Sequence, residues 1–506
     1  MTILPIPREV PPSWAFVLLA TVTLATAALS GCGKQDVAAD AEQARLKGAI
    51  VIVIDTLRAD HTSLHGYPLE TTPTLERWAR QGAMFERCYA PSSWTLPSVG
   101  MLFTGRYRAI KNSSIREDDY QMGSAFADEG FQTAAVLANP LLVQPPRSDF
   151  RHGFELATVY RVPKEQVGPP QSWTGPEVMD RALRFLRTRR DKRRPFLLYL
   201  HLYDPHHPYA PKGGSRFKPE ADPALHAERL AALGPERADL LTPKVEGRIQ
   251  TEIARYDSEI QIADESLALL EAELIAQGIW ENTLIAVTSD HGEGLWQRAR
   301  PEGEAHGPGH LFPELYQLHG AMLTDDQIHV PMVWRGPGVE PGQRRSEPVS
   351  LVDLMPTLSA LCDLDPGFDP EFDGLDLFGA SDALARRDVL YSHCSRGTSL
   401  LSDGHLRLHR PTEERAKRYG VKPELFDLQA DPREVNALED SAQRIGLEER
   451  LIAFYSELEE RHTAEGADVP FAPDQRDILD LLGYTEEAHS EQQSADGAEL
   501  GSEIER

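Results

Sequence analysis

The chain has 506 residues, of which 41% are hydrophobic and 26% are charged, so it can hold one large α/β domain and a smaller companion. Its 79 acidic residues outnumber 52 Lys and Arg residues and give a formal net charge of -27. This charge argues against nucleic acid or an anionic membrane surface as a partner. It does not restrict the chemistry, because an acidic protein can concentrate positive charge locally with a metal ion.

Residues 14–29 form an apolar stretch that is too short and too weakly flanked for a membrane span. The stretch runs into residues 29–32 (Leu-Ser-Gly-Cys), which resemble the lipobox of bacterial lipoproteins. We therefore expect residues 1–31 to be a lipoprotein signal peptide, residues 32–47 to be a tether, and Cys32 to carry lipid. This places the protein in the cell envelope, anchored to the outer membrane or to a periplasm-facing membrane. An ordinary secretory signal or an uncleaved anchor is the alternative interpretation.

Three short and nearly continuous apolar runs each end in acidic or histidine residues, at residues 49–55, 196–207 and 283–293. Runs of this kind are typical of strands buried in a parallel sheet. Ligands of open α/β sheets bind in the crevice beyond the carboxyl ends of the strands, so polar residues there should converge. Oxygen ligands beside imidazole indicate a divalent metal ion acting on an anionic substrate. The residues predicted to meet are Asp55, His206, Asp290 and His291.

Helix and strand patterns alternate between these runs. The segment TTPTLERWARQG predicts a helix with a Thr cap, a Pro near its start and a Gly at its end. The alternation predicts an α/β fold, with a doubly wound and mostly parallel sheet flanked by helices. Residues 208–249 interrupt the pattern and are expected to form an insertion over the crevice. Helical periodicity returns at residues 253–277.

The pattern changes beyond Asp365. Residues 350–361 predict another core helix, whereas DVLYSHC, TSLLSDGHLRLHR and ELFDL predict a small antiparallel sheet, followed by a helix near residues 442–461. We therefore expect a main α/β domain over residues 48–365 and a small C-terminal α+β subdomain over residues 366–465. Residues 466–506 should be an acidic and largely disordered tail.

Apart from Cys32, the chain has three cysteines, Cys88, Cys362 and Cys394, and their spacing is unlike that of a metal site. We expect them to be isolated core thiols. The alternative is that Cys362 and Cys394 pair in an oxidising periplasm.

A series of motifs runs through the main domain and into the C-terminal segment. In chain order they are VIVIDTLRADH, TPTLERWARQGAMFERCYA, TLPSVGMLFTGR, GFQTAAV, YDPHHPY, TSDHGE, HVPMVWRGPG, SLVDLMPTL and FDLQADPREVNAL. Each is weak alone, but together they resemble the sulfatase family of the alkaline-phosphatase superfamily, in that family's order and spacing. The resemblance covers residues 48–438. It implies an alkaline-phosphatase-like fold in which residues 48–365 form the catalytic domain.

The resemblance also implies a nucleophile. The family places it at the first position of a Cys/Ser-x-Pro-Ser motif at a helix N-terminus, where this chain has Thr95 in Thr-Leu-Pro-Ser. Free N–H groups and the dipole of a helix starting near Pro97 would favour a tetrahedral oxyanion there. The alternative is that Thr95 only caps the helix, as Thr often does.

The chain departs from true sulfatases in ways that bear on the chemistry. Sulfatases convert the motif Cys or Ser to formylglycine, and Thr95 cannot undergo that conversion. Val99 stands where they usually carry Arg, and Thr56 stands where they usually carry a second Asp. Members of the superfamily with threonine nucleophiles resemble phosphodiesterases and phosphoryl or phosphoethanolamine transferases. The departures therefore favour phosphoryl transfer.

By the same resemblance, one divalent metal ion would be held by two carboxylates, an imidazole and the hydroxyl oxygen. The implied ligands are Asp55, Asp290, His291 and Thr95. This mixed set of oxygen and nitrogen donors suits Ca²⁺, Mn²⁺, Mg²⁺ or Zn²⁺, and the spacing does not choose among them.

Histidines are implied as ligands of the anionic ester. His206 matches the family histidine that contacts substrate oxygens, in preference to His207. His319 falls where sulfatases place a Lys or His that binds the anion or protonates the leaving group, and His306 matches a second family histidine. An insertion lies between these two, so His310 competes with His319 for the role. A structural role is the alternative for each. The residues expected to act in catalysis are Thr95, His206 and His319.

We therefore expect a lipid-anchored, metal-dependent hydrolase of anionic sulfate or phosphate esters, with a small molecule, a glycan or a lipid headgroup as substrate and no nucleic-acid partner. One alternative is a transferase that passes a phosphoryl or phosphoethanolamine group to an acceptor other than water. The other alternative is a catalytically silent lipoprotein that binds anionic glycans.

Overall fold

The computed structural model describes residues 46–109, 115, 119–144, 148–161, 172–301, 311–365, 367–368, 370–379, 381–439 and 441–465. The strands are β1 Gly48–Ile54, β2 Ala83–Tyr89, β3 Gln132–Leu137, β4 Val143–Gln144, β5 Ser148–Asp149, β6 Leu156–Val159, β7 Phe196–Leu202, β8 Thr283–Thr288, β9 Gly294–Ala299, β10 Leu315–Leu318, β11 His329–Arg335, β12 Gln343–Arg345, β13 Val349–Ser350, β14 Val389–Cys394, β15 Gly397–Ser402, β16 Leu406–Pro411 and β17 Glu424–Asp427. The helices are α1 Pro73–Arg80, α2 Thr95–Thr104, α3 Met122–Asp128, α4 Gly175–Arg184, α5 Pro223–Leu233, α6 Pro243–Ala276, α7 Asp325–Ile328, α8 Leu354–Cys362, α9 Ser381–Ala385, α10 Glu413–Tyr419 and α11 Ser441–Glu465.

The large sheet is mostly parallel, as the sequence predicts. Its strand order is β12-β2-β11-β8-β1-β7-β3-β6, and β13 also pairs with β2. Strand β11 alone runs against the others, since it pairs in antiparallel fashion with both β2 and β8. The three apolar runs form the adjacent strands β7, β1 and β8. Val53 lies opposite His201 on β7 and Thr288 on β8, so the carboxyl ends of these strands are level.

Helices cover both faces of this sheet, which explains why its central strands β1, β7 and β8 are buried at every position and largely apolar. Ile52 belongs to the hydrophobic core formed with α1, α4 and α6. On the opposite face, Tyr199 of β7 packs edge-on against Phe103 of α2, with ring centroids 4.8 Å apart. All seven residues of β1 and all seven of β7 are buried.

The helix over TTPTLERWARQG forms, but its cap differs from the prediction. The side chain of Thr72 makes no capping bond to α1. The carboxylate of Asp264, on α6, accepts hydrogen bonds from the backbone N–H groups of Thr74 (2.8 Å) and Leu75 (3.0 Å). The hydroxyl of Thr72 instead accepts from the backbone N–H of Leu64. A cap supplied by a distant helix leaves no local sequence signal.

The insertion expected over residues 208–249 is shorter than predicted, because α6 begins at Pro243 rather than near residue 253. The Thr242 side chain accepts from the N–H of Val245 and caps this helix. Its first turns are largely polar and show weak periodicity. Helix α5 contacts these first turns of α6. Its buried Arg229 pairs with Glu246 and donates a hydrogen bond to the carbonyl of Trp296.

The C-terminal segment forms the predicted antiparallel sheet, in the order β14-β15-β16-β17, with α11 packed on it. The segment TSLLSDGHLRLHR supplies two strands, because Asp403 and Gly404 turn the chain with positive φ angles of 51° and 69°. Asp-Gly is a strong hairpin signal for that reason. The boundary predicted between residues 365 and 366 is not tested by these features and stays a prediction.

Several predictions concern residues that lie outside the described part of the chain. These are the signal peptide and lipid attachment at Cys32, the histidines His306 and His310, and the acidic tail over residues 466–506. They stay predictions. Within the described residues, no helix combines the length and apolar character needed to cross a membrane. Cys88, Cys362 and Cys394 are buried free thiols, so the alternative pairing of the last two is wrong.

A buried ion cluster joins the C-terminal sheet to the main domain. Glu434 accepts from His409 Nε2 (2.8 Å) and from the backbone N–H of Asp325 (2.8 Å), and its carboxylate lies 3.5 Å from Arg407 of β16. Arg298 of β9 approaches the same carboxylate at 3.7 Å. Burial alone would raise the pKa of Glu434, but the charge of Arg407 and the His409 hydrogen bond outweigh it, so that the pKa falls to about 2.

In the variant Glu434→Gln, the free energy of unfolding should therefore depend less on pH in the acidic range. In the unfolded chain the pKa of this carboxyl is near 4.5. The stability that ionised Glu434 adds to the fold is therefore fully present above that pH and is lost as the pH falls towards 2. We expect the variant to lose roughly 2 to 4 kcal/mol of unfolding free energy at pH 7 and to converge with wild type near pH 2. Urea unfolding at a series of pH values measures this. Glu413→Gln, at an exposed pair with Lys417, is the control and should follow wild type. Parallel curves for the Glu434 variant and wild type would contradict the prediction.

Candidate active site

Two carboxylates meet at the carboxyl ends of β1 and β8, and each has one oxygen fixed by donors. Asp55 Oδ2 accepts from Asn139 Nδ2 (2.7 Å) and lies 3.3 Å from His201 Nε2. Asp290 Oδ1 accepts from the backbone N–H groups of Thr56 (3.2 Å) and His291 (2.9 Å). The other oxygens, Asp55 Oδ1 and Asp290 Oδ2, are buried and have no hydrogen-bond partner among the residues that the structure describes.

The backbone turn after β1 is strained at Thr56, whose φ of 56° is rare for a β-branched residue. The hydroxyl of Tyr256, on α6, donates to the Thr56 carbonyl at 2.7 Å. This conformation directs the Thr56 N–H to Asp290. The strained residue therefore lies where a hydrogen bond connects the carboxyl ends of β1 and β8.

His291 is held so that one ring nitrogen faces the carboxylates. Its Nδ1 lies 2.9 Å from the carbonyl of Gly292, which can only accept, so Nδ1 carries the proton and Nε2 carries the lone pair. Nε2 is 3.6 Å from Asp290 Oδ2 and 3.9 Å from Asp55 Oδ1. Gly292 is required here, because a Cβ at that position would lie 2.2 Å from the Asp326 carbonyl oxygen.

Thr95 is the first residue of α2 and is fully buried. Its Oγ1 lies 3.1 Å from His291 Nε2 and 3.4 Å from Asn139 Nδ2. The N-cap position of α2 is Trp94, and within the described residues the hydroxyl of Thr95 contacts His291 and Asn139 rather than the helix backbone, so a simple capping role does not account for its position. Ser98, one turn later, donates to the carbonyl of Asp290 at 2.6 Å and fixes α2 against the end of β8.

The donor set fits a hard divalent cation. One ligand atom each from Asp55, Asp290 and His291 lies within 4.8 Å of the others, and all three residues are buried. Burial raises the pKa of Asp290, and the charge of Asp55 adds to this effect. Two buried carboxylate oxygens without donors, beside an imidazole lone pair, are what such an ion would satisfy.

Two further histidines stand beside this cluster. The ring centroid of His319 is 4.4 Å from that of His291 and 5.0 Å from that of His206, which stacks on Tyr203. Strands β9 and β10 are antiparallel, and Leu318 pairs with Gly294. This pairing places the next residue, His319, beside the cluster. Burial lowers the pKa of both His206 and His319, so both rings should be neutral at neutral pH.

The structure thus brings Thr95, Asp55, Asp290, His291, His206 and His319 into one buried cluster. The ring of His207 lies 5.3 Å from that of Tyr209. The roles assigned to these residues remain predictions, as does the choice between His319 and His310, since the latter is outside the described residues.

The cluster also contains three residues that are not among those predicted from the sequence: Asn139, His201 and Glu293. Glu293 is buried and its Oε1 lies 3.1 Å from His319 Nδ1, which orients that ring. Burial raises the pKa of Glu293 to about 7. His201 was hidden inside an apolar strand. Asn139 follows the apolar residues 134–138 at the end of β3, so the rule that identified Asp55 and Asp290 could also have found it.

The fold and this strand-end cluster are those of an alkaline-phosphatase-like scaffold. Residues 48–364 match the Sulfatase family, and the chain belongs to that family. Its solved neighbours include a protein in complex with its substrate D-glucosamine-2-N,6-O-disulfate (TM-score 0.61, 18% identity, covering 84% of this chain and 99% of that one). Another is a phosphonate monoester hydrolase of Agrobacterium radiobacter (TM-score 0.57, 18% identity, covering 81% and 96%). These likenesses concern the fold.

Among curated relatives, the chain is 22% identical over 338 residues to an ulvan-active sulfatase of Formosa agariphila. The match covers 62% of this chain and 61% of that protein. The chain thus spans about three fifths of the length of this relative.

Proposed function

We propose that this protein is a metal-dependent hydrolase of anionic esters, with Thr95 as its nucleophile and a preference for phosphoesters over sulfate esters. The observation that carries the proposal is the position of Thr95 Oγ1, 3.1 Å from His291 Nε2 in the cluster with Asp55 and Asp290. A buried hydroxyl that does not cap its helix, placed beside a candidate cation site, is typical of a nucleophile.

The preference for phosphoesters follows from the chemistry of threonine. A threonine ester can be released only by attack of water on the transferred group, whereas a formylglycine hydrate expels its ester by its second hydroxyl. Members of the superfamily with threonine nucleophiles resemble phosphodiesterases and phosphoryl or phosphoethanolamine transferases, which favours phosphorus as the atom attacked. The phosphonate monoester hydrolase with the same fold supports this direction.

Each residue of the cluster has its own role in the proposed reaction. Asp55, Asp290, His291 and Thr95 would hold the cation, which would neutralise the carboxylates and favour the ionised form of the threonine hydroxyl. The Thr95 oxygen forms a bond to phosphorus in line with the leaving oxygen, whose bond to phosphorus breaks. The neutral ring of His319 or His206 donates an N–H hydrogen bond to that oxygen, which takes its proton from solvent, and water then cleaves the Thr95 ester.

A panel of chromogenic esters tests the proposal. The purified chain, freed of metal and then supplied with Ca²⁺, Mn²⁺, Mg²⁺ or Zn²⁺ in turn, is assayed with four substrates. These are bis(4-nitrophenyl) phosphate, 4-nitrophenyl phosphate, 4-nitrophenyl phenylphosphonate and 4-nitrophenyl sulfate. We expect metal-dependent release of nitrophenol with kcat/KM highest for a phosphorus ester. Faster turnover of the sulfate would overturn the preference, and no turnover with any metal would overturn the hydrolase proposal.

A further inference from the structure

Asn139 is the only described residue, besides His291, with a recorded hydrogen bond to the hydroxyl of Thr95. Its Nδ2 is 2.7 Å from Asp55 Oδ2 and 3.4 Å from Thr95 Oγ1. The side chain is buried, with 1% of the residue exposed. One amide nitrogen therefore connects the candidate nucleophile to a candidate metal ligand.

The orientation of this amide follows from its other contact. Asn139 Oδ1 accepts the backbone N–H of Leu141 at 3.0 Å, which caps the short turn Pro140–Leu142. Because that end must be the oxygen, the amide cannot be flipped, and both Nδ2 hydrogens face the site. Since His291 Nε2 carries a lone pair, the Thr95 hydroxyl donates to it and accepts from Asn139.

We propose that Asn139 is a catalytic residue, which holds Thr95 Oγ1 in the position of attack and stabilises the negative charge that the oxygen carries there. The inference rests on the proposed function, since it requires Thr95 to be the nucleophile. A donor already in place costs no reorganisation when charge develops, and it acts in a buried site where water does not compete. The distance of 3.4 Å is long, and such contacts commonly shorten when substrate is bound.

The competing explanation is structural, because Asn139 also caps a turn and contacts Asp55. Two substitutions separate these roles. Asn139→Ser keeps an oxygen able to cap the Leu141 N–H but is too short to reach Thr95. Asn139→Asp keeps the shape and the cap but replaces the donor with a second acceptor.

The test measures kcat and KM for the fastest phosphorus ester of the panel, with metal content and Tm measured on the same preparations. We expect Asn139→Ser to lower kcat about 10²-fold, the scale for loss of one such donor, with KM within about threefold of wild type. Asn139→Asp should lower kcat at least as much. Metal content should stay at the wild-type level in Asn139→Ser. Loss of metal in proportion to activity would overturn the inference in favour of a role through Asp55.

A double-mutant cycle with Thr95→Ala distinguishes this inference from the proposed function itself. If Asn139 acts on the Thr95 oxygen, adding Asn139→Ser to Thr95→Ala should not lower the residual rate further. An inactive Thr95→Ala with a near wild-type Asn139→Ser would overturn the role of Asn139 and leave the nucleophile in place. A fully active Thr95→Ala would overturn both. A further loss in the double variant equal to that in the single one would show that Asn139 acts independently of Thr95.

Discussion

Thr95→Ala is expected to lower kcat for the preferred ester by about 10³-fold or more, because it removes the atom that forms the covalent bond. Thr95 Oγ1 lies at the helix N-terminus beside His291, and no other hydroxyl in the described residues has a recorded contact with that imidazole. Water would have to replace it without the same positioning. Thr95→Ser keeps the hydroxyl and should retain activity within about tenfold. Steady-state kinetics with saturating metal measures both variants.

The matched control is Thr104→Ala, at the other end of the same helix. Thr104 is also buried, and its hydroxyl donates to the carbonyl of Gly100 within α2. This variant should lose some stability and keep kcat within about twofold, since it touches nothing in the cluster. Retention of more than a tenth of the wild-type kcat by Thr95→Ala would contradict the assigned nucleophile. A trapped phosphoryl adduct on a different residue would do the same.

The sequence carried enough information to predict the sheet and most of the cluster because both depend on the same local signal. A continuous apolar run predicts a buried parallel strand. Polar residues at the carboxyl end of such a strand lie where ligands bind in this class of sheet, so they are candidates for function. Asp55, Asp290 and His291 all fall at such ends. The structure places them within one ligand sphere, although Asp55 precedes the other two by more than 230 residues.

What the sequence could not predict depends on contacts between distant elements. The Asp264 cap on α1 and the pairing of Arg229 with Glu246 are decided by which helices become neighbours. His201 reads as one polar residue in an apolar strand until β7 is aligned with β1. The position of His319 depends on the pairing of β9 with β10, across an insertion whose length the motif series does not fix.

Asp290→Asn is expected to abolish the response to metal while stabilising the metal-free protein. The asparagine oxygen would still accept the backbone N–H groups of Thr56 and His291, which hold Oδ1 in the native site. The new amide nitrogen would replace the partnerless Oδ2 and donate towards Asp55 Oδ1 or His291 Nε2. A buried charge that faces another carboxylate is thereby removed, so the free energy of unfolding in EDTA should rise.

The opposite should hold with metal present. For wild type, a cation at about 100 times its Kd adds about 2.7 kcal/mol of stability, and this gain should vanish in the variant together with catalysis. Thermal unfolding with EDTA and with each metal, alongside metal analysis of the purified protein, gives both readouts. Asp264→Asn is the control, because it weakens the cap of α1 away from the cluster and should lower Tm while keeping the metal response. An Asp290→Asn protein that binds metal as wild type does would show that the carboxylate of Asp290 is not needed to hold the ion and would contradict its assignment as a ligand.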